Sequence, residues 1–157
     1  MKTSRIVCCA VIVGVQFAQA CGMAPPGTAP TPTGVSPTEI PGPETRALAS
    51  TLQRQGATVT FAEVMLASGH PYFRVRAARY LLNGENLQAF EYESADQTAS
   101  DASRIGPDGT SIGATQVDWV SDPHFYRSGR LIVLYVGRGA TILALLQSVL
   151  GPQIAGR

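Results

Sequence analysis

Lysine is almost missing from this chain: Lys2 is the only one. Every other cation is arginine, and the twelve Lys and Arg residues face eleven acidic ones. Lys2 and Arg5 lie at the very start, so the rest carries ten Arg against eleven Asp and Glu, a formal charge near −1. A near-neutral body excludes recognition of nucleic acid by bulk electrostatics. Histidine is scarce too. His70 and His124 stand alone, with no compact metal-ligand spacing around them, so neither a metal nor another cofactor is expected. Cysteine is confined to Cys8, Cys9 and Cys21, which excludes a disulfide-stapled scaffold. No apolar run reaches the ~20 residues that a membrane-spanning helix needs.

The first 21 residues are rich in what the rest lacks. Lys2 and Arg5 form a basic start, and Ile6 to Phe17 form an apolar block broken only by Gln16. That block has the length of a cleavable export signal. Ala18-Gln19-Ala20 then places small residues at −3 and −1 of a cleavage site. The same residues followed by Cys21 resemble a bacterial lipobox, with Ala18 standing where Leu is usual. Cys8 and Cys9 serve as small hydrophobes inside the block, so the exported chain would keep Cys21 alone. A single thiol is odd in an oxidising compartment, and acylation of Cys21 removes the oddity. The expectation is a signal peptide at 1–20 and a lipidated Cys21. The acyl chains would hold the protein on the cell membrane or outer membrane, facing an extracytoplasmic compartment.

Residues 21–43 hold seven of the eleven prolines (Pro25, Pro26, Pro30, Pro32, Pro37, Pro41 and Pro43), interleaved with Thr and Ser. No apolar periodicity appears there, so a disordered, extended tether is expected. Residues 44–157 then suffice for one modest domain.

Within that domain, Glu44 to Gln55 reads as a helix, with Pro43 at its start and Leu48 and Leu52 on one face. Ala57 to Val64 alternates like a strand. Asn83-Gly84 predicts a type I′ hairpin between Arg76–Leu82 and Asn86–Glu93, with Tyr80 opposite Leu87 and Arg76 opposite Glu91. Ser94-Ala95-Asp96-Gln97 matches a capping box; its helix is expected to end near Gly106, with Arg104 in the last turn and Ala95, Ala99 and Ala102 on the packed face. Thr115 to Val120 reads as a strand with Val117 and Trp119 on one side. Leu131 to Val136 is continuously apolar, as a central strand covered on both faces should be. Ala140 to Leu150 carries Ile142, Leu145, Leu146 and Val149 on one face. These elements predict an α+β two-layer sandwich: a mainly antiparallel sheet of about 4–5 strands with the helices on one face.

The segment from Trp119 through Asp122-Pro123-His124-Phe125-Tyr126-Arg127-Ser128-Gly129-Arg130 to Gly137, with Val149-Leu150-Gly151-Pro152, resembles the C-terminal part of small uncharacterised bacterial envelope lipoproteins. The resemblance covers roughly residues 80–156. It implies an anchored extracytoplasmic domain and brings no catalytic residues.

Several groupings contain residue types that can carry chemistry. Ser121, Asp122 and His124 supply the residue types of a hydrolase triad, but such triads are assembled in space and no Gly-x-Ser-x-Gly elbow is present. Asp122-Pro123 more simply opens a turn. Gly137-x-Gly139 lies between strand and helix, yet position 142 is Ile142 and no P-loop Lys follows, so a tight turn explains it better. His124, Phe125, Tyr126, Arg127 and Arg130 form the candidate binding surface, because aromatic and Arg side chains dominate interface hot spots. The competing reading packs Phe125 and Tyr126 under the sheet and leaves 127–130 as a solvated turn. The sequence reading is therefore a non-enzymatic, membrane-tethered module with an envelope protein or glycan as partner. The alternative is an envelope hydrolase using His124 with Ser121 or Asp122.

Overall fold

The computed structural model describes residues 40–157. The expected signal at 1–20, Cys21, and residues 22–39 of the expected tether lie outside the described residues. The rest of that tether, Ile40 to Pro43, runs straight into the first helix, which Pro43 opens.

In chain order the elements are α1 (Pro43–Arg54), β1 (Val59–Met65), a single 3-10 turn (Ala67–Gly69), β2 (Ala77–Leu82), β3 (Glu85–Glu91), α2 (Ala95–Ala102), β4 (Ser111–Ile112), β5 (Thr115–Gln116), β6 (Pro123–Ser128), β7 (Leu131–Val136), α3 (Ala140–Leu150) and β8 (Ala155–Gly156). Six strands form one antiparallel sheet in the order β1-β2-β3-β7-β6-β8, and β4 pairs with β5 apart from it. The α+β architecture is the expected one, with more strands than the 4–5 read from the sequence.

The β2-β3 hairpin forms as its turn chemistry requires. Asn83 at φ 51° and Gly84 at φ 89° give the two positive dihedrals of a type I′ turn, and Tyr80 faces Leu87. The ladder begins at Ala77, so Arg76 lies just before the register in which it was expected opposite Glu91. β7 is central, paired with β3 on one side and β6 on the other, and Leu131 to Tyr135 are buried.

One sheet face is closed by helices. Leu48 and Leu52 of α1 and Ile142 and Leu146 of α3 pack on Tyr80, Leu82, Leu87, Val133 and Tyr135. Fully burying each such aliphatic side chain stabilises by roughly 1.5–3 kcal/mol. α1 has no cap from its own Gly42; instead Glu91, the last residue of β3, accepts the Thr45 N–H at 3.0 Å. A Cβ at Gly42 would overlap that carboxylate, which explains glycine where Ser or Asp is usual. The negative charge also complements the helix N-terminus.

The other face is closed by rings and irregular chain. Phe73, Phe90, Tyr92, Ile112, Phe125, Ile132 and Leu134 form a second cluster, with Ala102 of α2 and Trp119 against it. Two of the three helices thus share a face, and α2 joins the opposite cluster near its C-terminal end. Ser94 caps α2 as predicted, its Oγ accepting the Gln97 N–H at 3.2 Å. The helix stops at Ala102, earlier than expected. Arg104 lies beyond it and pairs with Asp101 at 2.9 Å, while Ala95 is exposed and Thr98 is the helix's buried residue.

Two strand expectations change around residue 120. The strand read over Thr115–Val120 is only Thr115–Gln116, and the chain from Val117 to Val120 leaves the ladder as a strap. The segment read as a turn after Asp122 is β6. Proline is tolerated as its first residue because it need not donate there. Among the described residues no helix is long and apolar enough to cross a membrane.

Candidate functional site

The sequence-predicted surface at 124–130 is mostly interior. His124 is 4% exposed, Phe125 0% and Tyr126 2%. Their positions in β6 explain this: the strand is paired with β7 on one side and β8 on the other, and successive side chains enter opposite clusters. Tyr126 joins the helix-covered core and Phe125 the ring-built one. Arg130 is engaged structurally, 3.1 Å from Glu44 and 3.6 Å from Glu91. Of the five residues, Arg127 alone stands in the exposed class. The five residues therefore do not form an exposed binding surface, and Phe125 and Tyr126 are packed inside as in the competing reading.

The triad residues are likewise occupied elsewhere. His124 Nδ1 lies 2.8 Å from Gln153 Oε1 and Nε2 lies 3.0 Å from the Gly137 carbonyl, while its ring stacks on Tyr135. Asp122 accepts two bonds from Arg138 at 2.7 and 3.2 Å, and this guanidinium holds its carboxyl below the ordinary carboxylate range. Neither Asp122 nor Ser121 reaches the imidazole. The structure does not bring Ser121, Asp122 and His124 into a proton-relay geometry.

The Gly137-x-Gly139 turn is filled from within. The Tyr135 hydroxyl donates to Glu85 Oε2 at 2.6 Å and accepts the Gly139 N–H at 2.9 Å. A Cβ at Gly137 would overlap that hydroxyl. The space at the start of α3 where an anion would sit is taken by the protein's own phenol and carboxylate. Burial, then the hydrogen bond to Glu85, raises the Tyr135 phenol above its ordinary value. Among the described residues no group of three or more His, Cys, Asp or Glu could hold a metal ion.

An unexpected site lies on the face away from α1 and α3. One cross-strand row runs Glu63 (β1), Arg79 (β2), Gln88 (β3), Leu134 (β7) and Phe125 (β6), each paired in register with the next. Its first three positions are polar and its last two apolar. The strap 117–120 covers the apolar end: Trp119 lies 6.0 Å from Phe125 and 5.6 Å from Tyr72, centroid to centroid. The polar end stays open as a groove of about 520 Å³. That volume falls in the roughly 300–1,000 Å³ range of small-molecule sites.

The groove's side chains are held by the protein's own hydrogen bonds. Arg79 binds Glu63 Oε1 through Nε and Nη2, both at 2.8 Å, and Nη1 donates to Asn86 Oδ1 at 3.2 Å. The Tyr72 hydroxyl donates to Gln88 Oε1 at 3.2 Å. Trp119 is fixed by its own N–H, which donates to the Gly109 carbonyl at 2.7 Å. Next to it Val120 is 99% exposed, the most exposed large apolar side chain among the described residues.

Part of this site was readable in advance. The Asn83-Gly84 turn alone sets Arg79 opposite Gln88, three residues along from the Leu82–Glu85 pair. Glu63 was not readable, because the register of β1 slips at the bulge between Phe61 and Glu63. Trp119 was expected to point one way from a strand, and it does point inward, from a strap.

No family model, no curated protein and no solved structure matches this chain.

Proposed function

We propose that the protein is an exported lipoprotein, acylated at Cys21, whose domain acts as a binding module at the envelope surface through the open-face groove. The export reading rests on the basic start, the apolar block and the small residues before Cys21. The binding reading rests on one observation. A half-buried, rigidly held Trp119 and a fully exposed Val120 line one groove with a row of pre-oriented polar side chains. Exposed apolar surface rimmed by polar groups marks interaction sites, and half-exposed aromatics supply much of their energy. The module has a membrane address through its acyl chains and a partner in the envelope.

The test has two readouts on the full chain. Cys21→Ser abolishes labelling by radioactive palmitate and moves the protein from the membrane to the soluble fraction. In the acylated wild type, a photo-crosslinker at position 120 gives a discrete adduct, whereas one at exposed Arg127 does not. Membrane retention of the unlabelled variant overturns the anchor; equal crosslinking at 120 and 127 overturns the groove.

A further inference from the structure

We infer that the open-face groove takes an uncharged saccharide, bound with its ring face against Trp119 and its hydroxyl edges along Arg79, Asn86 and Gln88. The inference rests on the reading of this groove as the binding site and adds the chemistry of its occupant.

The charge balance excludes anions first. Arg79 is the cation of the row, Glu63 neutralises it at 2.8 Å, and Asp118 adds a further negative charge to the lining. A polyanion such as a nucleic acid would find no surplus positive charge here. Peptide strands are excluded next. An extended peptide adds to a sheet through free backbone groups at an edge, whereas the floor here is the face of a sheet whose β2 and β3 backbones are paired on both sides. Recognition on this floor must come from side chains.

Those side chains have the donors and acceptors that hydroxyls need. Asn86 Oδ1 and Gln88 Oε1 each accept a bond from inside the protein, which fixes the amide planes. Their NH₂ groups have no hydrogen-bond partner among the described residues and remain free to donate. The Glu63 carboxylate keeps lone pairs beyond those that meet Arg79 and is half-exposed. Glu63, Arg79 and Gln88 sit on adjacent strands about 4.8 Å apart, so the polar row spans roughly 10 Å. That is room for consecutive hydroxyls of a short oligosaccharide. Beside the row, Trp119 supplies an apolar wall against which the C–H face of a sugar can lie, and Tyr72 backs that wall. A ligand with one hydroxylated edge and one apolar face matches a floor that is polar at one end and aromatic at the other.

Trp119 is the chain's single tryptophan, so its fluorescence reports on this groove alone. Cellotetraose and chitotetraose are titrated into the full chain, with heparin as the charged comparison. The expected result is a saturable change in tryptophan emission with a neutral oligosaccharide. The midpoint should move less than about twofold between roughly 0.05 and 0.5 M salt, since no screened charges meet. Gln88→Leu should weaken binding about tenfold, and Asn86→Ala, at an exposed position, provides a second variant with little bearing on folding. A salt-sensitive response to heparin with none to the neutral sugars overturns the saccharide while leaving the groove a binding site. A sugar response unchanged in both variants places the ligand elsewhere and overturns the inference. Silence toward every probe, together with no discrete crosslink at position 120, overturns the inference and the groove alike.

Discussion

The two faces of this sheet are finished by different means. On one, α1 and α3 lay aliphatic side chains onto the strands, and the contact is continuous from Leu48 to Leu146. On the other, β-strand side chains meet a run of rings contributed by loops: His70 on Tyr72, Tyr72 on Phe73, Phe73 on Phe90, and Trp119 on Phe125. A helix presents a repeating stripe and seals the whole width beneath it. Loops cover only where they pass, so the ring-built face closes over Phe90 and Phe125 and stays open over Arg79 and Gln88. The difference teaches where function can be placed: the helix-sealed face is committed to stability, and the loop-covered face has area to spare.

The sharpest way to break that comparison is to put a charge under the helices. Leu146 is 0% exposed on α3, so Leu146→Asp buries an unpaired carboxylate and removes an aliphatic contact. The expected loss is about 3–5 kcal/mol, enough to remove the cooperative melting transition of a marginally stable domain. Circular dichroism checks it. A variant melting like wild type would mean that α3 is not part of the sealed face.

The same contrast explains what could be read from the sequence. α1, α3 and β7 were legible because a stripe of apolar residues at helical spacing, or a continuous β-branched run, is itself the signal of burial. The β2-β3 hairpin was legible because Asn83-Gly84 fixes its register locally. The ring-built face gave no such signal. Of its covering residues, Tyr72, Ile105 and Ile112 come from segments without periodicity, Trp119 comes from an alternation that ends in a strap, and they meet over the sheet that the long-range pairing of β6 with β7 and β8 builds. β6 itself was hidden because a proline opens it and a charged turn closes it, so residue types alone left Phe125 and Tyr126 open to both a surface and a packed reading, and the structure has them packed. Position in space, and not residue type, decided which aromatic is a wall of the groove and which is core.

A smaller effect should appear on the ring-built face alone. His70 is 7% exposed, stacked on Tyr72 and edge-on to Phe90. Its Nε2 lies 3.0 Å from the Val75 carbonyl, and its Nδ1 is buried with no hydrogen-bond partner among the described residues. Burial, only partly offset by the Val75 hydrogen bond, lowers its pKa from 6.5. The unfolded chain then binds a proton at a pH where the folded chain does not. The stabilisation from His70 is full above about pH 6.5 and is lost as pH falls through the folded value. Between those two values stability falls as pH falls, with a slope no steeper than the one-proton limit of about 1.4 kcal/mol per pH unit. Urea unfolding at about pH 7.5 and about pH 5.5 measures it, and His70→Gln should flatten the difference. An unchanged pH dependence in the variant would remove His70 as its source.

The smallest effect belongs to the open part of the groove. Arg79 and Glu63 are 35% and 51% exposed, so their ion pair sits in high dielectric and is screened by salt. Arg79→Ala should cost less than about 1 kcal/mol, within the usual range for exposed pairs, even though it also removes the bond to Asn86. A polar row of three in-register side chains that contributes so little to folding is not maintained by the needs of the sheet. Thermal denaturation decides the point. A loss on the scale of Leu146→Asp would show that Arg79 holds β1 to β2, and the groove would then be a by-product of edge-strand attachment. A near-neutral result leaves the ordering of Glu63, Arg79, Asn86 and Gln88 to be explained by what they bind.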